Sequence, residues 1–290
     1  MRSGPLQKLI SVWLLVLGGN ALASAPVEND VEVYGFNIHY VEAGTGPVIL
    51  LLHGLWGGTN EWRPALEPLS RGHRVIAMDF IGFHGSDKPE AHYHNALLSQ
   101  FLAGFIAELQ LHDVTLIGHA MGANAATYTA FHHPDNIARL VLVDGAGYRK
   151  PERDLSKPMS PGMLNFRRIA TGSTVAATQQ FLQRRVLDTS IVTREWAEEA
   201  FHLWLNSARA IGDMLQEGGD LTQEEMQQIT VPTLIVWGAE DKIFPISNAE
   251  RLRSDIQGAE VHIIERSGHL PQIEQTDLFL QAVIPFLEDN

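Results

Sequence analysis

The sequence contains no cysteine among its 290 residues. Cysteine supplies disulfides, thiolate metal ligands and one type of catalytic nucleophile, and all three are therefore excluded. A lipid anchor attached through a modified cysteine is excluded for the same reason. Any catalytic group must therefore be a side chain that contains oxygen or nitrogen. No motif in the sequence predicts a cofactor.

Basic residues are also few. The chain has 21 Lys and Arg against 34 Asp and Glu, which gives a formal net charge of −13. Proteins that bind nucleic acids neutralise phosphates with clustered Lys and Arg, and no dense basic run occurs here. The composition argues against a nucleic-acid partner. With 45% hydrophobic residues, the chain is typical of a globular domain with a full core.

Long apolar runs are missing as well. Near the N-terminus, the stretch "LISVWLLVLGG" has only 11 residues, follows Arg2 and Lys8, and precedes the small residues "ALASA". This order is typical of an export signal, and the run is shorter than a membrane-spanning helix normally requires. We predict a signal over residues 1–25 and a periplasmic or secreted mature chain without a stable membrane span. A retained N-terminal membrane anchor is the alternative.

Short apolar stretches alternate with amphipathic ones along the rest of the chain. The runs "VILLLHG" (48–54) and "VTLIGH" (114–119) are typical of strands that are buried on both faces. The stretch "NALLSQFLAGFIAELQL" (95–111) repeats its apolar residues every three or four positions, as a helix with one buried face does. This alternation predicts an α/β fold with a mostly parallel sheet and helices on both faces.

The alternation stops between residues 148 and 230. This segment is helical in character and begins with a polar stretch that contains proline. We interpret it as a helical cap over the ends of the strands, inserted into a core formed by residues 26–147 and 231–290. Its aromatic residues are expected mainly to hold the cap on the core and partly to line a pocket.

Four motifs each follow a predicted strand. The carboxyl ends of parallel strands lie at one edge of a sheet, so these motifs are expected to meet. His269 is then the candidate base, and Asp241 is the acid that could orient it. The motifs are "HGLWGG" (53–58), "GHAMG" (118–122), "GAEDKIF" (238–244) and "SGHLPQ" (267–272).

The first two motifs supply the other candidate site residues. The backbone N–H groups of Leu55 and Met121 could face a developing oxyanion. Trp56 is part of this oxyanion loop (residues 53–58) and is a candidate substrate-binding residue. Gly118 and Gly122 flank Ala120 with the spacing of a strand-turn-helix elbow, which normally presents a nucleophile at its apex.

Together with "DFIGFHGSDKP" (79–89), these motifs resemble the α/β-hydrolase family over the whole mature chain. The resemblance implies an α/β-hydrolase fold and a catalytic triad whose acid and histidine are Asp241 and His269. In that family the elbow reads G-x-S-x-G, whereas this chain has Ala120 at the apex. A methyl group cannot attack a carbonyl carbon. We therefore interpret the chain as a nucleophile-deficient form of a serine hydrolase.

Aspartate also occupies the apex in relatives that open epoxides or displace halide. Epoxide opening uses tyrosines of the cap, but the interval 150–230 contains no tyrosine. Halide displacement typically uses a tryptophan directly after the nucleophile, where this chain has Met121. Serine is thus the favoured missing residue. The apolar cap and Trp56 favour a small-molecule substrate, a carboxylic ester or lactone with an apolar acyl part.

The same residues leave two alternatives open. Asp241 and His269 could act as a general base without a covalent nucleophile, in a lyase or proton-transfer step. The chain could also be a non-catalytic protein that binds a ligand. Whether Ala120 arose naturally or by deliberate exchange of a serine is equally open at this point.

Other titratable residues are expected to lie outside the reaction. Asp144 ends the predicted strand at 138–144 and is the alternative to Asp241 as the acid. Glu240 is expected to point away from the site. His119 is expected to pack away from the substrate. The remaining histidine cluster has no spacing typical of a metal site, so no metal is predicted and we expect these residues at the surface: His92, His94, His132 and His133.

Overall fold

The computed structural model describes residues 25–145, 147, 174–215 and 221–289. Most of the predicted export signal and part of the predicted cap lie outside these residues, so export and the cap boundaries stay predictions. In the described part of the chain, no helix is both long and apolar enough to cross a membrane.

The described residues contain one eight-stranded sheet. Its strands are β1 (Val27–Val33), β2 (Phe36–Ala43), β3 (Val48–Leu52), β4 (Arg74–Met78), β5 (Val114–His119), β6 (Ile137–Val143), β7 (Thr233–Gly238) and β8 (Glu260–Ile264). Their order across the sheet is β1-β2-β4-β3-β5-β6-β7-β8. The hairpin β1–β2 and the pair β2–β4 are antiparallel, and the other neighbouring pairs are parallel. The predicted fold class is confirmed.

Helices connect the strands and cover the sheet. They are α1 (Arg63–Ser70), α2 (Asn95–Glu108), α3 (Met121–His132), α4 (Val175–Arg185), α5 (Arg194–Asn206), α6 (Ala208–Met214), α7 (Gln223–Met226), α8 (Ser247–Asp255), α9 (Pro271–Glu274) and α10 (Thr276–Glu288). Short 3₁₀ turns cover Thr59–Trp62, Pro134–Asn136 and Thr189–Ile191.

The core forms an apolar layer on each face of the sheet. On one face, α1 and α10 bury Trp62 and Phe279 completely. On the other face, α2 and α3 pack on the sheet around Phe105. Full burial of one large apolar side chain contributes roughly 1.5–3 kcal/mol, so both layers stabilise the central strands. The parallel strands are thereby fixed, and their carboxyl ends present the loops of the site.

Helix α2 is shorter than the apolar pattern predicted. The pattern runs to residue 111, but the helix ends at Glu108. Gln110 adopts φ +52°, a left-handed conformation that stops the helical hydrogen bonds. Leu111 remains buried after the turn. The apolar pattern thus extends beyond the end of α2 because Leu111, which follows the turn, also packs in the core.

Helices α4, α5 and α6 lie in the segment predicted to be a cap. Phe181 of α4 and Trp204 of α5 are buried, with ring centroids 5.5 Å apart. The indole N–H of Trp204 donates to the backbone oxygen of Trp56 at 2.9 Å. These two aromatic side chains therefore hold α4 and α5 on the core, which is the main role that the sequence predicted for the aromatic residues of the cap.

Candidate active site

Ala120 occupies the turn between β5 and α3. Its backbone has φ +48° and ψ −108°, a strained conformation for a residue with a side chain. A Cβ atom on Gly118 would lie 2.4 Å from the oxygen of Gly122, and a Cβ on Gly122 would lie 2.2 Å from the oxygen of Leu52. Only glycine fits at either position. The chain therefore forms a sharp strand-turn-helix elbow with a methyl group at its apex.

Asp241 and His269 form a hydrogen-bonded pair, called the dyad below. Nδ1 of His269 lies 2.8 Å from Oδ2 of Asp241, and both side chains are buried. Oδ1 of Asp241 accepts hydrogen bonds from the backbone N–H groups of Ile243 at 2.7 Å and Phe244 at 3.1 Å. Asp241 is thus held in place, and its contact with Nδ1 leaves Nε2 of His269 for proton exchange with a substrate.

The protonation state of the dyad suits a general base. Burial, with a smaller contribution from His119, lowers the pKa of His269 to about 4, although Asp241 acts in the opposite direction. Burial by itself would raise the pKa of Asp241, but the hydrogen bond and charge of His269 bring it below its usual value. At neutral pH the pair is a neutral imidazole beside a carboxylate, ready to accept a proton.

Asp144 belongs to the same cluster. It follows β6, is fully buried, and its Oδ1 accepts a hydrogen bond from the N–H of Gly238 at 2.9 Å. Burial and the neighbouring charge of Asp241 raise the pKa of Asp144 well above its usual value. These effects favour the neutral form of Asp144, which lies beside the dyad. The sequence analysis predicted Asp144 at this edge of the sheet, but only as an alternative to Asp241 as the acid.

Asp144, Asp241 and His269 are the one group of described residues that could hold a metal ion. One ligand atom from each lies within 4.8 Å of the others. Metal ligands must be deprotonated, whereas the pKa of Asp144 is raised well above its usual value and Nδ1 of His269 is engaged with Asp241. The arrangement fits an acid–base pair better than a metal centre.

His119 connects the elbow to the loop that carries His269. Its Nδ1 lies 2.7 Å from Oε1 of Glu61, and its Nε2 lies 2.8 Å from the backbone oxygen of His269. Gln272 also donates to Oε1 of Glu61, at 3.1 Å. Burial alone would raise the pKa of Glu61, but His119 lowers it to about 2. His119 thus positions the dyad through this buried network, and Glu61 is a partner that no sequence motif indicated.

The oxyanion loop lies directly beside Ala120. A Cβ atom on Gly54 would be 3.5 Å from the Cβ of Ala120. His84 donates from Nε2 to the oxygen of Gly57, and its own N–H donates to Oγ of Ser207 at 3.1 Å. His84 thus joins the oxyanion loop to the cap, a role that the sequence did not show. Leu55 lies in this loop.

The remaining candidate residues are placed as follows. Met121 is the first residue of α3 and is buried, while Trp56 is partly buried against the cap. The oxyanion roles of Leu55 and Met121 stay predictions. Glu240 accepts from the N–H of Ser267 at 3.0 Å, in the loop before His269. Of the four clustered histidines, His94 caps α2 and the others are exposed: His92, His132 and His133.

Arg185 is a second residue that the sequence did not single out. It ends α4 and is buried, and its backbone oxygen accepts from the N–H of His269 at 2.7 Å. Its guanidinium carbon lies 5.5 Å from the ring centre of Trp56, whose ring is 4.5 Å from that of Phe181. In the sequence, Arg185 is one of two adjacent arginines, and no local pattern tells the buried one from the exposed one.

Two buried histidines near the site are expected to lower the free energy of unfolding in mild acid. Burial lowers the pKa of both His269 and His84 to about 4, below the value of about 6.5 in an unfolded chain. Between these values the unfolded chain binds more protons than the folded one. The stabilisation that these two histidines provide is therefore fully present above about pH 6.5 and falls as the pH drops to 4, by up to about 3 kcal/mol per histidine.

Urea unfolding at several pH values in this range measures the effect. The fall should be smaller in the variants His84→Gln and His269→Gln. A fall that is as large in both variants as in the unchanged chain would contradict neutral, buried histidines.

The comparisons with known proteins agree with this geometry. A family model described as alpha/beta hydrolase fold matches residues 47–276. The chain is 28% identical to a 2-hydroxy-6-oxononadienedioate/2-hydroxy-6-oxononatrienedioate hydrolase of Paraburkholderia xenovorans, over 90% of this chain and 92% of the relative. This chain belongs to the alpha/beta-hydrolase fold family.

Two solved structures are similar over nearly all of their length. One is a membrane phospholipase A, described as a bacterial virulence factor, with 26% identity, a TM-score of 0.78, and coverage of 91% of this chain and 86% of that one. The other is a serine-to-alanine mutant of a meta-cleavage product hydrolase from Pseudomonas fluorescens, with 26% identity, a TM-score of 0.77, and coverage of 89% and 97%. The relatives named here are hydrolases.

Proposed function

We propose that this chain is a nucleophile-deficient serine hydrolase. It retains the acid and base of a Ser-His-Asp triad and binds a carbonyl substrate, but Ala120 prevents an acyl-enzyme from forming. The observation that carries the proposal is the strained elbow at Ala120 together with an intact dyad: the neighbouring His119 contacts the backbone oxygen of His269 at 2.8 Å. An alanine at φ +48° brings no chemistry, whereas a serine there would face the histidine that activates it.

The proposed substrates are carboxylic esters or lactones with an apolar acyl part. In this reaction His269 takes the proton of the nucleophile, and Asp241 stabilises the imidazolium that forms. The N–H groups of Leu55 and Met121 would bind the oxyanion, a contribution of about 3 kcal/mol for each donor. Trp56 would contact the apolar acyl part, because it belongs to the oxyanion loop and its ring is partly buried against Phe181 of α4.

Hydrolysis of a carbon–carbon bond is the second candidate. The relative from Paraburkholderia xenovorans is named as a hydrolase of such an unsaturated oxo acid, and the mutant from Pseudomonas fluorescens is a meta-cleavage product hydrolase. Their substrates carry carboxylates, and a buried arginine lies next to His269 in this chain. The dyad could serve this reaction as well, because it also passes protons to and from a carbonyl substrate.

The test is a paired assay of the unchanged chain and the variant Ala120→Ser. Both proteins are given nitrophenyl esters of increasing acyl length, a set of lactones, and a 2-hydroxy-6-oxohexa-2,4-dienoate. The variant is expected to hydrolyse esters or lactones at least about a thousandfold faster than the unchanged chain, because it regains the covalent nucleophile. Stopped-flow traces should show a burst of nitrophenol only with the variant.

Each outcome decides between the candidates. Cleavage of the dienoate alone would assign the second candidate. Equal turnover by both proteins would favour the dyad acting without a nucleophile, and no turnover by either would favour a binding protein; each of these results would contradict the proposal. Ala126→Ser, a change of the same kind in the buried part of α3, is the matched control and should not gain activity.

A further inference from the structure

A cavity of about 300 Å³ lies between the core and the cap. Of the described residues, neither Ala120 nor the two members of the dyad line it, so it is a compartment beside the reaction centre. Its size is at the lower end for ligand pockets, about 300–1,000 Å³. Apolar side chains form much of its wall: Trp56, Leu182, Ile191, Trp196, Leu203 and Ile273.

Arg185 gives this apolar wall a buried positive charge. The residue is only 3% exposed, and its Nε and Nη2 atoms have no hydrogen-bond partner among the described residues. A buried charge without partners is costly, and a guanidinium is built to hold a carboxylate through two parallel hydrogen bonds. The cavity therefore offers unused donors to an anionic ligand.

The neighbouring carboxylates do not use these donors. Glu61, Asp241 and Glu274 interact with Arg185 electrostatically, but in the described part of the chain none forms an ion pair with it. Glu61 contacts His119, Asp241 contacts His269, and Glu274 accepts from the N–H of Gly268 at 2.8 Å. Each acid already has its own donors.

The remaining charged residues of the wall are also paired with each other. Glu199 lies 3.4 Å from the guanidinium of Arg63 and accepts from Asn60 at 3.1 Å. The side chain of Arg63 is largely exposed, unlike that of Arg185. Arg185 is thus the buried cation in this wall. The apolar surface around it favours a ligand whose remaining part is apolar.

We propose that this cavity binds a small carboxylic acid with an apolar chain, whose carboxylate pairs with Arg185. The apolar chain packs against Trp56 and Trp196. The site does not rest on the proposed hydrolase function, because ligand binding needs neither a nucleophile nor the dyad. Ligand binding is measured with Ala120 unchanged. A chain that does not bind the acid can therefore be told apart from a chain whose Ala120→Ser variant has no hydrolase activity.

The experiment is a calorimetric titration of the unchanged chain with three ligands of equal chain length: octanoate, 1-octanol and octylammonium. Octanoate is expected to bind about tenfold or more tightly than 1-octanol, because hydrogen bonds to a charged partner are the strong ones. Octylammonium should not bind. Equal affinity for octanoate and 1-octanol, or no binding of octanoate, would overturn the proposal, and this comparison needs no variant.

Two variants locate the site. Arg185→Gln should lower the affinity for octanoate about tenfold or more and leave that for 1-octanol unchanged. The matched control Arg184→Gln removes the same charge from the exposed neighbouring position of α4 and should change neither affinity. Leu203→Trp adds bulk to the apolar wall and leaves Arg185 itself unchanged, and it should abolish binding of both ligands. Thermal unfolding checks that each variant is folded, and unchanged octanoate binding in Arg185→Gln or in Leu203→Trp would overturn the proposal.

Discussion

In the Ala120→Ser variant, the further change Asp241→Asn is expected to lower kcat for an ester by about four orders of magnitude. The carboxylate of Asp241 accepts from Nδ1 of His269 at 2.8 Å and so leaves Nε2 free to accept the proton of the nucleophile. An asparagine presents an amide N–H to Nδ1 instead, which favours the tautomer with the proton on Nε2. That imidazole cannot act as the base.

The change Asp144→Asn, made in the same Ala120→Ser background, is the matched control. Burial and the charge of Asp241 raise the pKa of Asp144 well above its usual value and so favour its neutral form. Asparagine is close to this neutral form in shape, charge and hydrogen-bonding groups. Its oxygen can still accept from the N–H of Gly238. The loss of kcat should be less than about tenfold. A large loss for Asp144→Asn with a small one for Asp241→Asn would make Asp144 the acid of the site.

The change Glu61→Leu is expected to lower the free energy of unfolding by about 3–5 kcal/mol. Glu61 is buried, and its loss removes the partner of both His119 and Gln272, which stay in the interior. The effect should depend on pH, because the pKa of Glu61 is about 2 in the folded chain and about 4.3 in an unfolded one. The stabilisation by Glu61 is therefore present above the unfolded pKa and is lost as the pH falls through 2.

Urea unfolding measures both parts of this prediction. The difference between the unchanged chain and Glu61→Leu should be largest near neutral pH and shrink below about pH 4. Glu67→Gln, an exposed change on the neighbouring helix α1, should alter stability by less than about 0.5 kcal/mol. A Glu61→Leu variant as stable as the control would contradict a structural role for the pair with His119.

The strands and the positions of the dyad could be predicted from the sequence. Continuous apolar runs identify buried parallel strands such as β3 and β5, and the edge where such strands end brings Asp241 and His269 together. The 28-residue separation of these two residues then closes into a contact of 2.8 Å. Local pattern and topology were sufficient for this much of the fold and the site.

The support around the dyad could not be predicted in the same way. Glu61 and Arg185 are single charged residues in ordinary contexts, and they become buried only because the oxyanion loop, α4 and the loop before α9 meet in space. His84 likewise joins two segments that are far apart in sequence. A single sequence shows which residues follow a strand, but it does not show which charges the cap covers.

Position 120 is proposed to be a nucleophile position that lacks only its hydroxyl group. A fluorophosphonate that labels activated serines, with intact mass and peptide mapping as the readout, distinguishes this from an inactive elbow. We expect one adduct at position 120 in Ala120→Ser, none in the unchanged chain, and none when His269→Ala is added. A folded Ala120→Ser variant without the adduct, or equal labelling of all three proteins, would show that position 120 is not activated by His269.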